Sequence, residues 1–269
     1  MLNIESNWLN MRLLDDLSMQ NTLIHRIDPR IKILISLAFV IIVTSFSKYE
    51  ITGLLPLFFY PITLMSIGNI PSTLLLKRLL IISPFILFVG VFNPIFDRTP
   101  LLDVGFISIS GGWISFISIT VKLTLTAAAA LLLVATTGIN PICAAMHRLG
   151  CPKPLVVQLS FMYRYLHVLL EEFIKTVTAY QLRSPNGKGV QYRAWGSLLG
   201  QLLLRTYARA KTIYDAMLCR GFDGRITLLY TKNLQNHDRI YLAYWLFFFI
   251  LCRAVNIPKL MGKLLLGGL

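Results

Sequence analysis

Five stretches of this chain are too long and too apolar to be core strands, and any fold must first place them. The most demanding is Trp113 to Thr137, whose single charge is Lys122. The others run from Ile31 to Phe46, Ile51 to Ile67, Leu79 to Phe96 and Tyr241 to Val255. A helix crossing a bilayer needs roughly twenty apolar residues, or fewer where flanking cations snorkel. Composition agrees. The chain is 55% hydrophobic and 14% charged, against about a quarter charged in soluble domains, and its mean hydropathy is +0.65. The expected fold is an all-α integral membrane protein with five transmembrane helices.

Charge placement orients those spans. Fourteen of the 26 Lys and Arg fall between Gly138 and Arg239, against five acids, and such a concentration marks the cytoplasmic side. The formal net charge of +14 carries no stacking motif or nucleic-acid module with it, so nucleic acid is excluded as a partner. The bilayer itself accounts for part of the basic excess, through attraction to anionic lipid. Arg26, Arg30 and Lys32, and later Lys77 and Arg78, place further cations on the inner side, whereas Asp97 and Asp103 face out. The chain thus divides into residues 1–137, an amphipathic lead-in and four spans; 138–239, a cytoplasmic region; and 240–269, a last span and tail. The N-terminus is expected inside and the C-terminus outside. Glu5, Asp15 and Asp16 precede any apolar run and argue against a signal peptide. Asp28-Pro29 is a helix start, the aspartate capping and the proline suiting the first turn. Pro84 and Asn93-Pro94 are expected to kink or end the third span.

The cytoplasmic region holds the most informative pattern. Leu155, Leu159, Met162, Leu166, Leu169, Phe173 and Val177 recur at helical spacing, as do Leu203, Tyr207, Ile213, Tyr214 and Met217. Both arms also carry charges that lipid would rarely tolerate, among them Arg164, Glu171, Glu172 and Lys175. They read as two long amphipathic helices, Leu155–Arg183 and Leu199–Arg220. Each closes on Ala-x-x-x-Arg and a small residue: Ala179, Arg183 and Ser184, then Ala216, Arg220 and Gly221. A cation at a helix C-terminus stabilises by about 0.3–1 kcal/mol, which explains one such arginine but not a frame repeated in both arms. A planar guanidinium can instead grip carboxylates or carbonyls in a protein groove, so the helix ends read as docking points.

Chemistry is otherwise sparse. His25, His147, His167 and His237 are scattered without a metal-ligand spacing, and Cys143, Cys151, Cys219 and Cys252 lack a CxxC pair. Ser184-Pro185-Asn186-Gly187-Lys188-Gly189 lacks the strand and the Lys-Ser/Thr ending of a phosphate loop. The chain is therefore read as non-catalytic, with no metal site and no cofactor of its own. Lys122 is either a functional intramembrane charge or a cation that snorkels or pairs with Asp97 or Asp103. Either Glu171 supports its helix face through His167 and Lys175 at i, i+4 spacing, or Glu171 and Glu172 meet a basic partner, and Arg164 joins them as a partner or packing contact.

These residues carry a resemblance. Residues His25 to Lys32 (HRIDPRIK), Phe92 to Arg98 (FNPIFDR), Leu131 to Gly138 (LLLVATTG), Tyr163 to Leu166 with Glu171-Glu172, and Ala216 to Gly224 (AMLCRGFDG) are similar to the transmembrane T component of energy-coupling factor transporters, cobalt-type CbiQ. The resemblance spans about Ile24 to Ile226 in order. It implies a plasma-membrane subunit of an importer serving cobalt uptake and cobalamin biosynthesis. Its partners would be two ABC-type ATPases, which bind the ATP, and a membrane-embedded, cobalt-binding S component. Arg183-Ser184 and Arg220-Gly221 would be the ATPase-contact signatures, although Leu182 and Cys219 stand where the family usually has alanine. The same role for nickel or a vitamin, or a membrane transferase, are the alternatives weighed.

Overall fold

The computed structural model describes residues 17–96, 100–104, 107–184, 190–223 and 234–254, which fall into two compact units. The described residues of one lie within 17–138 and 234–254, and those of the other within 139–223.

In the larger unit, α1 (Pro29–Ser45) starts as the sequence predicts. The Asp28 side chain accepts from the Arg30 N–H at 2.9 Å, with proline in the first turn. Ile31, Ile35, Phe39 and Val43 form a buried stripe at four-residue spacing, while Leu34, Leu37 and Ile41 on other faces stay exposed. A helix apolar on both its inner and outer faces suits lipid. A 3₁₀ turn (Thr52–Phe58) leads into α2 (Phe59–Gly68), which closes on left-handed Asn69. Helix α3 (Ser72–Phe96) and helix α4 (Gly111–Thr137) pack closely together. A Cβ at Gly90 would stand 2.7 Å from the Phe116 ring, so α3 and α4 meet over a residue that has none. Helix α8 (Asn236–Ala254) completes the unit. Phe39 and Tyr60 (4.7 Å between ring centroids), Tyr60 and Trp245 (4.9 Å) and Phe39 and Phe249 (5.4 Å) fasten α1, α2 and α8 together.

Several expectations need correction. Two of the five apolar runs form helices long and apolar enough to span among the described residues, Ser72–Phe92 and Gly111–Thr137, and only 17% and 28% of their apolar windows are buried within the chain. Helix α1 has 17 residues, about 26 Å against a hydrocarbon core of roughly 30 Å. The second run breaks into a 3₁₀ turn and a ten-residue helix, and α8 dilutes its run with Asp238 and Arg239. The third helix starts at Ser72 and takes in Lys77 and Arg78, and it runs unbroken through Pro84. Neighbouring groups re-satisfy the carbonyl that proline frees in membrane helices. The described fold is helical, as expected, apart from one short hairpin. The expected outer loop holds an antiparallel hairpin of β1 (Pro100–Val104) and β2 (Ile107–Ser110), with Asp103 opposite Ser108. The first sixteen residues of the expected lead-in lie outside the described residues.

Polar side chains fix the helix ends. Lys32 donates to the Thr136 carbonyl at 2.8 Å, tying the start of α1 to the end of α4. The Asp238 carboxylate accepts from the backbone N–H groups of Asp28 (3.1 Å) and Gln235 (3.0 Å), joining the starts of α1 and α8. Lys122 reaches main-chain carbonyls. Its ammonium donates to the carbonyls of Phe46 (2.6 Å) and Ser47 (3.3 Å), beyond the end of α1; Asp97 lies outside the described residues. Arg253 donates to the Ser45 carbonyl at 3.3 Å and lies over the Phe46 ring.

The expected outcome for Lys122→Met is a loss of about 1–3 kcal/mol, because carbonyls at the end of α1 lose their donor; thermal unfolding of the detergent-solubilised chain checks it. His25 supplies a pH test. Burial foremost and the Lys32 ammonium second push its imidazole below its ordinary 6.5, against weaker opposing pulls from the Leu17 and Ala135 backbone. The unfolded chain therefore takes up the proton first. Stability is full above the ordinary value and declines as pH falls through it toward the lower folded one. Melting temperatures of the wild type should fall with acidification across that window, and those of His25→Gln should fall less.

Candidate functional site

The smaller unit is three helices. The sequence reading passed over the first, α5 (Ile139–Arg148), a short amphipathic helix that buries Cys143, Ala144 and Ala145 and packs on α6 (Lys153–Arg183). Helix α7 (Tyr192–Cys219) begins seven residues before its expected start at Leu199. At about 1.5 Å per residue the two long helices measure about 46 and 42 Å. They are thinly packed. Helix α6 buries only Val156 and Val177, and α7 buries no residue. Leu155, Met162 and Leu166 on α6, and Leu199, Leu203 and Tyr207 on α7, remain exposed. Such contiguous apolar exposure marks a surface that something else covers.

The helices run antiparallel and meet at a polar crossing. The Glu172 carboxylate lies 3.4 Å from an Arg209 guanidinium nitrogen and 4.0 Å from one of Arg205. One turn separates the two arginines on α7, so one carboxylate faces both. Toward the α6 C-terminus the Phe173 and Trp195 rings stack at 6.1 Å. Cavities open on either side of the crossing. A polar one of about 580 Å³ extends toward Arg183 and takes in Lys175, Ala179 and Tyr180. An apolar one of about 790 Å³ extends toward Phe222 and takes in Phe161, Leu203 and Ile213.

The two arginine frames share residues but not geometry. Arg183 is the last helical residue of α6, and Ser184 after it is extended. Arg220 is itself the cap of α7, followed by Gly221 at φ +79°. There the Gly221 N–H donates to the Leu218 carbonyl and the Phe222 N–H to the Met217 carbonyl, a Schellman closure whose left-handed position favours glycine. The small residue after Arg220 is thus a conformational requirement, whereas the one after Arg183 is not. Both arginines are exposed, as are Ala179, Ala216, Arg164 and Glu171. Four of the expected docking and contact residues, Glu171, Glu172, Ala179 and Arg183, line the polar cavity; Arg220 sits at the opposite end of the helix pair. The turn residues 185–189 and Gly224 lie outside the described residues. The sequence reading missed Arg205 and Arg209 as partners of Glu172, and Phe222 as both helix closure and cavity wall. Their signals were the i, i+4 arginine pair opposite an acidic pair, and an aromatic immediately after a capping glycine.

A unit with two helices long and apolar enough to span, together with two long, exposed, arginine-ended helices, fits the class of integral membrane proteins. Residues 20–229 match the family described as cobalt transport protein, CbiQ, and the chain belongs to that family. An uncharacterised protein of Methanocaldococcus jannaschii is 30% identical over 236 residues, covering 82% of this chain and 79% of its own. The energy-coupling factor transporter transmembrane protein EcfT of Bacillus subtilis is 27% identical over 218 residues, 76% of this chain and 82% of its own. The nickel permease LarQ of Lactiplantibacillus plantarum is 33% identical over 108 residues, 40% of this chain and 39% of its own.

The Glu172 contact has a measurable size. Both arginines are more than half exposed, so a double-mutant cycle of Glu172→Gln and Arg209→Gln should return about 0.2–1 kcal/mol of coupling. The value should shrink as salt rises.

Proposed function

We propose that this chain is the transmembrane coupling (T) subunit of an energy-coupling factor importer for cobalt ions. It sits in the plasma membrane with its two long arms on the cytoplasmic side, carries no catalytic residue and binds no cofactor; ATP is held by two partner ATPases. The observation that carries the reading is that a family match over residues 20–229 coincides with two helices of 31 and 28 residues, each ending at an exposed arginine. Similarity to EcfT of Bacillus subtilis along 76% of this chain supports the same role. A membrane-embedded S component would bind the substrate. Nickel is the second reading for the transported ion, supported by the similarity to the nickel permease LarQ.

In this reading ATP binding moves the ATPase grooves that grip Arg183 and Arg220, and the stiff helices carry that motion to the membrane unit. The guanidiniums suit the task because they stay charged and offer a fixed fork of donors. The test is copurification of the tagged chain with its ATPases and uptake into proteoliposomes, for wild type, Arg183→Ala, Arg220→Ala and the double variant. Each single change should weaken the complex by roughly 2 kcal/mol, about thirtyfold in affinity, with uptake falling in step. Full binding and uptake in all variants would reduce the arginines to helix caps and move the coupling elsewhere on the arms.

A further inference from the structure

We propose that the crossing of α6 and α7 is a binding site for one anionic phospholipid, its phosphate in the polar cavity and its acyl chains in the apolar one. The two cavities are not independent, because Val168, Glu172 and Arg209 line both. An occupant that fills both must be polar at one end and apolar at the other. Their volumes, about 580 and 790 Å³, each lie within the roughly 300–1,000 Å³ of small-molecule pockets.

The polar end selects an anion. Lys175, Arg183, Arg205 and Arg209 line it against Glu171 and Glu172, four cations to two carboxylates. Glu172 engages Arg209 and Arg205 through one nitrogen of each, at 3.4 and 4.0 Å. A guanidinium carries five N–H donors, so both keep donors for a phosphate, which they match in planar fork geometry. The apolar end supplies the tail site: Val157, Phe161, Leu169, Leu203, Ile213 and Met217 line it. Burying an acyl chain there removes apolar surface from water, a gain that a free phosphate ester lacks. The polar cavity shares Arg183 with the ATPase reading, so the test leaves Arg183 and Arg220 untouched and the two readings can fail separately.

The experiment is calorimetric binding of soluble dihexanoyl phosphatidylglycerol to the detergent-purified full chain, which removes any dependence on where the arms lie. One saturable site is expected, with affinity about tenfold or more above that for dihexanoyl phosphatidylcholine. Lys175→Gln/Arg209→Gln should lose that preference. Arg193→Gln/Lys211→Gln, which removes the same charge outside the cavities, should keep it. Leu203→Gln should weaken the lipid and leave glycerol 3-phosphate unchanged. Equal affinity for the two lipids, equal loss in both charge variants, or glycerol 3-phosphate binding as tightly as the lipid would each overturn the proposal. Should Lys175→Gln/Arg209→Gln misfold, the comparison of the two lipids on wild type decides it alone.

Discussion

An unsatisfied carbonyl in a low-dielectric setting costs more than almost any other local feature, and the larger unit is organised around that constraint. Every helix leaves its last carbonyls without intrahelical partners. In water this is harmless, but among apolar segments it is not. Lys32 answers it at Thr136, and Lys122 and Arg253 answer it at Ser45, Phe46 and Ser47. Each donor comes from a different helix than the carbonyl it meets. Closing helix ends therefore also fixes which helices are neighbours: α1 with α4 at both ends, and α1 with α8. Asp238 does the converse at helix starts, accepting one backbone N–H from 210 residues away and one from three residues away.

This explains why some features were legible in sequence and others were not. The Asp28-Pro29 start, the long apolar run that becomes α4 and the amphipathic arm α6 depend on local spacing, and they stand close to where they were expected. The roles of Lys122 and Arg253 depend on carbonyls 76 and 208 positions away. No local pattern carries that information. A lone intramembrane lysine suggested an acidic partner because opposite charge is the familiar remedy. The orphan backbone at the end of a short α1 was the nearer remedy, and α1 is short because Phe46 turns extended.

The candidate site was half legible for a related reason. The repeated Ala-x-x-x-Arg frame drew attention to both helix ends, yet identical words there describe different backbones. Gly221 at φ +79° closes α7, whereas Ser184 merely follows α6 in an extended conformation. The frame therefore constrains the arginine's position on the helix axis more tightly at Arg220 than at Arg183. What sequence did not reveal was the crossing itself. Glu172 reads as a contact for an unspecified basic partner, and only the antiparallel placement of α7 brings Arg205 and Arg209 of the same chain to it.

The two units thus use cations in opposite ways. In the membrane unit, Lys32 and Lys122 are aimed at carbonyls within the fold, so changing them alters stability before anything else. In the arms, Arg183 and Arg220 stand exposed at helix ends, on helices that bury almost nothing of their own. A helix of 28 residues with no buried side chain gains little from packing, and most helical stability in proteins comes from packing an amphipathic face. Its exposed apolar stripe is then best understood as one half of a contact. Covering that stripe would supply the packing that the arms lack on their own.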